Sequence, residues 1–303
     1  MKKRVLAAFL SMAMVAGLAT GCGTPGSGKS DGDSADGKVF RYAVNTLPTT
    51  LDPTKGQSIG DNEIQHAVTE GLTRNTAGDV KPGIAESWDE SEDGLTYTFH
   101  LRKDAKWSDG EPITAADFEY SWKRLVNPET ASPYAFIGDC LKNGQAIEQG
   151  NMDVEELGVK AVDDTTLEVT LEHPTSYFLS LIGSSGQYAP LRQDVVEKYG
   201  TDFAATSEKN VYSGPFVMTS SEDNVWTFAK NDNYWDKDSI NLDKCELNYV
   251  ENTDTQLSMY EAGDLDYVQV PTAYVSDYKD KAEVFANGNV DFCYINSKSD
   301  NPV

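Results

Sequence analysis

Gly23 to Ser30 reads Gly-Thr-Pro-Gly-Ser-Gly-Lys-Ser, the G-x-x-x-x-G-K-S spacing in which backbone amides and one lysine close on a phosphate. Such a loop works when a strand delivers it and a helix follows, so that N–H groups and a helix dipole converge. Here an apolar leader run precedes it and Asp31, Asp33 and Asp36 follow, an acidic flexible tract that repels phosphate, so nucleotide binding is set aside. Asp89, Ser91, Asp93 and Gly94 mimic the opening of a calcium loop, but His100 stands where a bidentate glutamate is required, and the stretch reads as a hairpin turn. His66, His100 and His173 are scattered and form no zinc pattern, and His100 reads as a solvated residue on the polar side of a strand. Cys140, Cys245 and Cys293 have no C-x-x-C spacing and read as three separate, largely buried thiols in preference to one disulfide with a leftover cysteine. H-E-x-x-H does not occur. A secreted hydrolase, such as a glycosidase using paired carboxylates beside Trp and Tyr, is the rival reading from another class, because carboxylate pairs are recognised by geometry and not by spacing. The reading from the residues is a protein without catalytic residue, cofactor or metal.

The chemistry that the sequence does carry begins at Cys22. Met1 to Arg4 is basic and precedes Val5 to Leu18, an apolar run too short to span a bilayer but suited to the core of a signal peptide. The run ends Leu18-Ala19-Thr20-Gly21-Cys22, small residues directly before a cysteine, which is what lipoprotein processing needs: cleavage leaves residues 1–21 as the signal, and Cys22 is acylated. The commonest form of that box has Leu where Ala19 stands, with Leu18 one place further back. Residues 22–37 then form a flexible Gly/Ser/Asp tether. The full chain has 49 Asp and Glu against 25 Lys and Arg, a formal net charge of -24, and losing Lys2, Lys3 and Arg4 with the signal makes it more negative still. Such a surface does not attract nucleic acid or anionic lipid, so membrane attachment is assigned to acyl chains on Cys22, of which two or more are needed.

The folded part is organised around Ala85 to Arg124. Tyr97, Phe99 and Leu101 alternate with Thr98 and His100, the period of a strand with one buried face. Polar turns after Trp88 and after Trp107 predict three short extended pieces side by side. Thr114 with Asp117 resembles a capping box, and Phe118, Trp122 and Leu125 fall on one helical stripe, with Glu119 and Lys123 able to pair on the solvated side and Asn127-Pro128 as the stop. Elsewhere, Val39 to Val44 reads as a strand, and Leu51-Asp52-Pro53 forces a bend. Gly56 to Gly60 reads as a connection, and Asn62 to Thr69 as a helix ending at Gly71. Val159 to Val162 and Leu167 to Leu171 form a hairpin on the same sheet. Helices are expected over Phe178 to Ile182, Leu191 to Tyr199 and Asp254 to Ala262. Strands are expected over Phe216 to Thr219, Val225 to Ala229, Leu242 to Val250, Tyr267 to Val270 and Asn289 to Ile295.

Ala85 to Arg124 does not stand alone. Leu51-Asp52-Pro53, Glu70-Gly71-Leu72 and Thr130-Ala131-Ser132-Pro133-Tyr134 precede or follow it, then Leu157-Gly158-Val159 with Asp163 to Leu171, Ser213-Gly214-Pro215-Phe216, Asn233-Tyr234-Trp235-Asp236 and Gly263-Asp264-Leu265-Asp266. In this order, from Val39 to the end, the sequence resembles the extracellular solute-binding proteins of family 5, the oligopeptide-binding proteins of ABC importers. The resemblance implies an α/β, two-lobed periplasmic-binding-protein-like fold of type II, with the chain reading as a fragment. Residues 38–75 and 183–285 would form the main mixed sheet of the first lobe, 76–182 its meander and helix subdomain, and 286–303 a crossing strand into a second lobe. The acidic residue that holds a peptide's amino terminus in the family lies beyond the sequence. The resemblance further implies a lipid-anchored binding protein on the outer face of the cell membrane, monomeric, not an enzyme. It would capture short peptides through main-chain hydrogen bonds in an inter-lobe cleft and hand them to ABC permease subunits. Gln57, Ser58 and Ile59 match family contact positions, against the plainer reading of a bare loop. Tyr134 is implied to line the cleft, against the plainer reading of a core tyrosine. Gln269 and Tyr294 join them as residues of the strands nearest the crossing. Within the family, binding of dipeptides, nickel complexes or a signalling peptide is the alternative.

Overall fold

The computed structural model describes residues 37–76 and 78–284. The signal, Cys22, the tether up to residue 36, Cys293, Tyr294 and the expected last strand lie outside the described residues. In chain order the elements are β1 (Val39–Val44), α1 (Ile59–Val68), β2 (Thr73–Thr76), β3 (Asp79–Pro82), β4 (Ala85–Glu90), β5 (Thr96–Leu101), α2 (Ala115–Val126), α3 (Gly144–Glu148), β6 (Val159–Asp163) and β7 (Thr166–Thr170). They continue with α4 (Phe178–Ser184), α5 (Gln193–Tyr199), β8 (Phe216–Glu222), β9 (Val225–Lys230), β10 (Lys244–Tyr249), α6 (Thr253–Ala262) and α7 (Val275–Tyr278).

The alternation at residues 96–101 produces a strand with Tyr97, Phe99 and Leu101 buried, and it sits inside an antiparallel sheet of order β4-β5-β7-β6. One expectation fails here: the piece around Trp107 is not a third strand. It makes a single bridge, Lys106 to Pro112, while β7 takes the place beside β5. Trp107 is 2% exposed, and the turn that follows holds the tryptophan in the core without extending the ladder. Helix α2 covers this sheet as its stripe requires. Phe118, Trp122 and Leu125 have no solvent exposure, and burial of that kind is worth about 2 to 3 kcal/mol for each large side chain. Its start is the expected capping box, with the Thr114 N–H donating to Asp117 at 2.8 Å, and Lys123 meets Glu119 at 2.7 Å. Burial pushes the Asp117 carboxyl up, against the opposing pull of the Thr114 and Trp107 donors.

The second sheet has order β1-β10-β9-β8, with β1 parallel to β10 and the other pairs antiparallel. Ile64 and Val68 of α1 and Val195 and Val196 of α5 pack with Phe216, Phe228 and Leu247 from its strands. The two ends of the chain order meet because β1 lies beside β10, which places α1 close to the segments that follow α4. Two further expectations are corrected. Helix α1 begins at Ile59, three residues before Asn62, because Ser58 supplies its N-cap. Tyr267 to Val270 is not a strand: Tyr267 and Gln269 are exposed and Val268 and Val270 only half-buried, so neither face is fully buried, and it is Asp266, just before the stretch, whose N–H donates to the Arg41 carbonyl of β1. The β2–β3 hairpin had no counterpart in the sequence reading, since Thr73 to Pro82 offers no apolar alternation.

Candidate functional site

Asp61 sets the geometry of the candidate site. The Asp61 N–H donates to Ser58 Oγ (2.9 Å) and the Ser58 N–H donates back to Asp61 Oδ2 (2.9 Å), a capping box with Asp in the third helical position. The same carboxylate accepts from the amides of Gln57 (3.1 Å), Thr49 (2.6 Å) and Thr50 (3.1 Å). Burial alone would raise its pKa, but the amides of Thr49, Ser58 and Gln57 outweigh it and hold the carboxyl below the ordinary aspartate value. The chain from Thr49 to Ser58 is thereby strapped against the helix. This changes what the stretch can offer a ligand: the Gln57 and Ser58 amides already donate to Asp61, Ser58 O accepts from Asn62, and Gly56 O accepts from Gln187. Among the described residues, the Ile59 N–H and the Gln57 carbonyl are left without an intramolecular partner, at a first helical position where the helix itself supplies none.

From this anchor α1 presents Ile59, Asn62 and His66 at spacings of three and four, hence along one face. Opposite stands the end of α4 and the turn after it, Ser184 to Gln187, and Tyr134 closes a third side, giving a cavity of ≈ 210 Å³. Tyr134 is half-buried with its ring 5.8 Å from that of Phe136, itself 55% exposed. A second cavity of ≈ 250 Å³ shares His66, Ser184, Ser185 and Gly186 with the first, and Glu70, Arg74 and Tyr234 line its far side. There Arg74 pairs with Glu70 (2.7 Å) and Asp236 (2.9 Å), and the Tyr234 hydroxyl donates to Glu70. Burial and the neighbouring carboxylate drive the Tyr234 pKa well up, so it stays a neutral donor. Arg74 and Arg102 both lie over the Trp235 ring, at 4.7 and 3.3 Å from its centre. The Glu70-Gly71-Leu72 and Asn233 to Asp236 motifs thus meet in one network that closes the back of the groove.

The structure brings Tyr134 into the groove, whereas Gln57, Ser58 and Ile59, at the start of α1, line neither cavity, with Gln57 exposed and Ile59 59% exposed. Gln269 is an exposed loop residue that lines neither cavity, and Tyr294 lies outside the described residues. Asn62, Gln65, His66, Ser185 and Gln187 were not singled out from the sequence. The first three follow once the helix is known to start at Ile59, because they continue its face; Ser185 and Gln187 sit in a turn with no sequence signal. Among the described residues no three His, Cys, Asp or Glu side chains come together as metal ligands, and Cys140 and Cys245 are free thiols.

Comparison with known proteins follows the same lines. The family model described as "Bacterial extracellular solute-binding proteins, family 5 Middle" matches residues 79–303. The dipeptide-binding protein DppE of Bacillus subtilis is 39% identical over 82% of this chain and 46% of its own length. Among solved structures, the substrate-binding domain of an oligopeptide ABC transporter from Bacillus anthracis superposes with a TM-score of 0.77 at 40% identity, over 81% of this chain and 48% of that one. OppA of Listeria monocytogenes bound to peptide gives 0.76 at 36% identity, over 81% of this chain and 49% of that one. The chain spans about half the length of the relatives it matches. The fold is mixed α/β, of the type II periplasmic-binding-protein class.

Proposed function

This chain belongs to the bacterial extracellular solute-binding proteins of family 5, and from that premise we propose that it captures short peptides for an ABC importer. The observation that carries the reading is the groove between α1 and the turn after α4, flanked by Tyr134, together with the unpaired Ile59 N–H and Gln57 carbonyl at the start of that helix. One free donor and one free acceptor two residues apart suit the main chain of an extended guest, which offers the same pair at every residue. Tyr134, with an apolar body and a polar tip, suits a wall that is dry against the guest and wet at its rim. The relatives' names support the ligand class, dipeptide for one and oligopeptide for others.

In this reading the protein is exported and held at the outer face of the cell membrane by acyl chains on Cys22. Among the described residues no helix is long and apolar enough to cross a membrane. It works as a monomer, delivers peptide to permease subunits, and performs no chemistry on it. Gln57, Ile59 and Tyr134 contact the guest, and Ser58 acts by capping α1. Calorimetric titration of the purified protein with a mixed pool of tri- to pentapeptides is expected to give a saturable heat and a raised Tm. A flat titration with no thermal shift would remove the proposal.

A further inference from the structure

Inside the groove one side chain is out of keeping with its surroundings. Gln65 is 1% exposed, it lines the cavity beside Tyr134, and neither its Nε2 nor its Oε1 has a hydrogen-bond partner among the described residues. A buried carboxamide left unpaired at both ends costs about 1 to 3 kcal/mol per group, so such a residue persists only where something outside the fold completes it. The two walls that touch the amide are glycines. A Cβ at Gly56 would overlap Nε2 and one at Gly186 would overlap Oε1, so bare backbone at these two places is what leaves room for the amide. The remaining neighbours do not reach it: Gln187 Nε2 donates to Gly56 O and its Oε1 accepts from Ser185 Oγ.

We propose that Gln65 is a specificity-determining residue that selects a guest side chain ending in a neutral carboxamide, glutamine or asparagine, at one position of the bound peptide. The inference rests on the peptide-binding reading above and adds to it a preference that main-chain capture alone does not provide. The choice of chemistry follows from the two ends of Gln65. An ammonium group satisfies Oε1 but brings no acceptor for Nε2. A carboxylate satisfies Nε2 but sets its oxygen against Oε1, in a protein of net charge -24. An alkyl chain satisfies neither. A carboxamide carries one acceptor and one NH2, and pairs with both ends at once. A cavity of ≈ 210 Å³ holds such a side chain, and His66 and Asn62 at its mouth are polar enough to admit one.

The test is a set of tetrapeptides of alanine in which each position in turn is Gln, Met, Glu or Lys, titrated into the purified protein by calorimetry. At one position Gln is expected to bind at least tenfold more tightly than Met, Glu or Lys, about 1.4 kcal/mol. The Gln65→Met variant, similar in shape, is expected to lose that preference, its affinity for the Gln peptide falling to that for the Met peptide. A second measurement reads the empty site: without ligand, Gln65→Met is expected to melt no lower than the parent, since it removes an unpaired amide. Peptide binding with no Gln preference at any position, or a preference that survives Gln65→Met, overturns the inference and leaves peptide capture standing. A Gln65→Met variant that melts several degrees lower would assign the amide an internal structural role and overturn it too. Absence of binding by every peptide, alanine included, would take away both readings.

Discussion

At the scale of single residues, Asp61 carries the site more than any residue that faces it. Five donors converge on its carboxylate: the amides of Thr49, Thr50, Gln57 and Ser58 and the Thr49 hydroxyl. Replacing it with Ala takes the acceptor from the half-buried Thr50 and Ser58 amides and from the exposed Thr49 and Gln57 amides, which water can partly satisfy, and the expected loss is about 1 to 3 kcal/mol in urea unfolding, with peptide binding weakened because Gln57 and Ile59 are no longer held. Its pKa is depressed in the folded state, so the carboxylate stabilises the fold fully above the unfolded value of about 3.9, and that contribution is lost as pH falls through the folded value. The stability difference between the parent and Asp61→Asn should therefore be constant from pH 5 to 7 and shrink only on further acidification below about 4. A difference that is already gone at pH 5 would contradict the lowered pKa.

At the scale of elements, the link between α2 and the bend at Asp52-Pro53 is the contact to break. Arg124 forks onto Asp52 with 2.8 and 2.7 Å bonds and also donates to Thr54; Asp52 is 3% and Thr54 0% exposed. Removing one partner of a buried pair costs more than the pair itself contributes, so Arg124→Ala is expected to lose about 3 to 5 kcal/mol, measured as a shift in urea midpoint at unchanged slope. Arg124→Lys should recover part of this at most, because an ammonium cannot make the forked contact. These elements also mark what the sequence could say. Helix α2 was legible to its caps, because Thr114, Asp117, Asn127 and Pro128 are local signals that decide the matter within a few residues. The start of α1 was not: Gly56, Gln57 and Ser58 look like a loop until the Asp61 carboxylate is seen to serve as cap partner and as acceptor for the Thr49 amide twelve residues upstream. The groove was half legible. Tyr134 came through the family resemblance, whereas Gln65 is unremarkable in sequence and stands out only when its amide is found buried beside Gly56 and Gly186. Long-range pairing misled in the opposite direction at Trp107, where β7, some sixty residues later, displaced the nearer candidate from the sheet.

At the scale of the whole molecule, the motifs that identify the family mostly hold the fold and leave the site to less conspicuous residues. Glu70, Tyr234 and Asp236 meet around Arg74, Ser213 accepts from the Glu70 N–H at 3.0 Å, and none of these faces Tyr134 across the groove. Ligand choice is thus open to properties spread over the surface, of which net charge is the largest. With 49 acidic and 25 basic residues, the chain carries a formal -24, a field that draws cationic guests toward the groove and repels anionic ones. The field acts on encounter, and its reach is set by salt, with a Debye length of about 30 Å at 0.01 M and about 8 Å at 0.15 M. A lysine-containing tetrapeptide is accordingly expected to associate several-fold more slowly at 0.15 M than at 0.01 M salt in stopped flow, while an all-alanine peptide with blocked ends changes by less than twofold. Dissociation rates should move little for either, because short-range contacts in the groove decide them. Equal salt dependence for the two peptides would mean that the acidic surface is too far from the groove, or too evenly paired around it, to steer a guest.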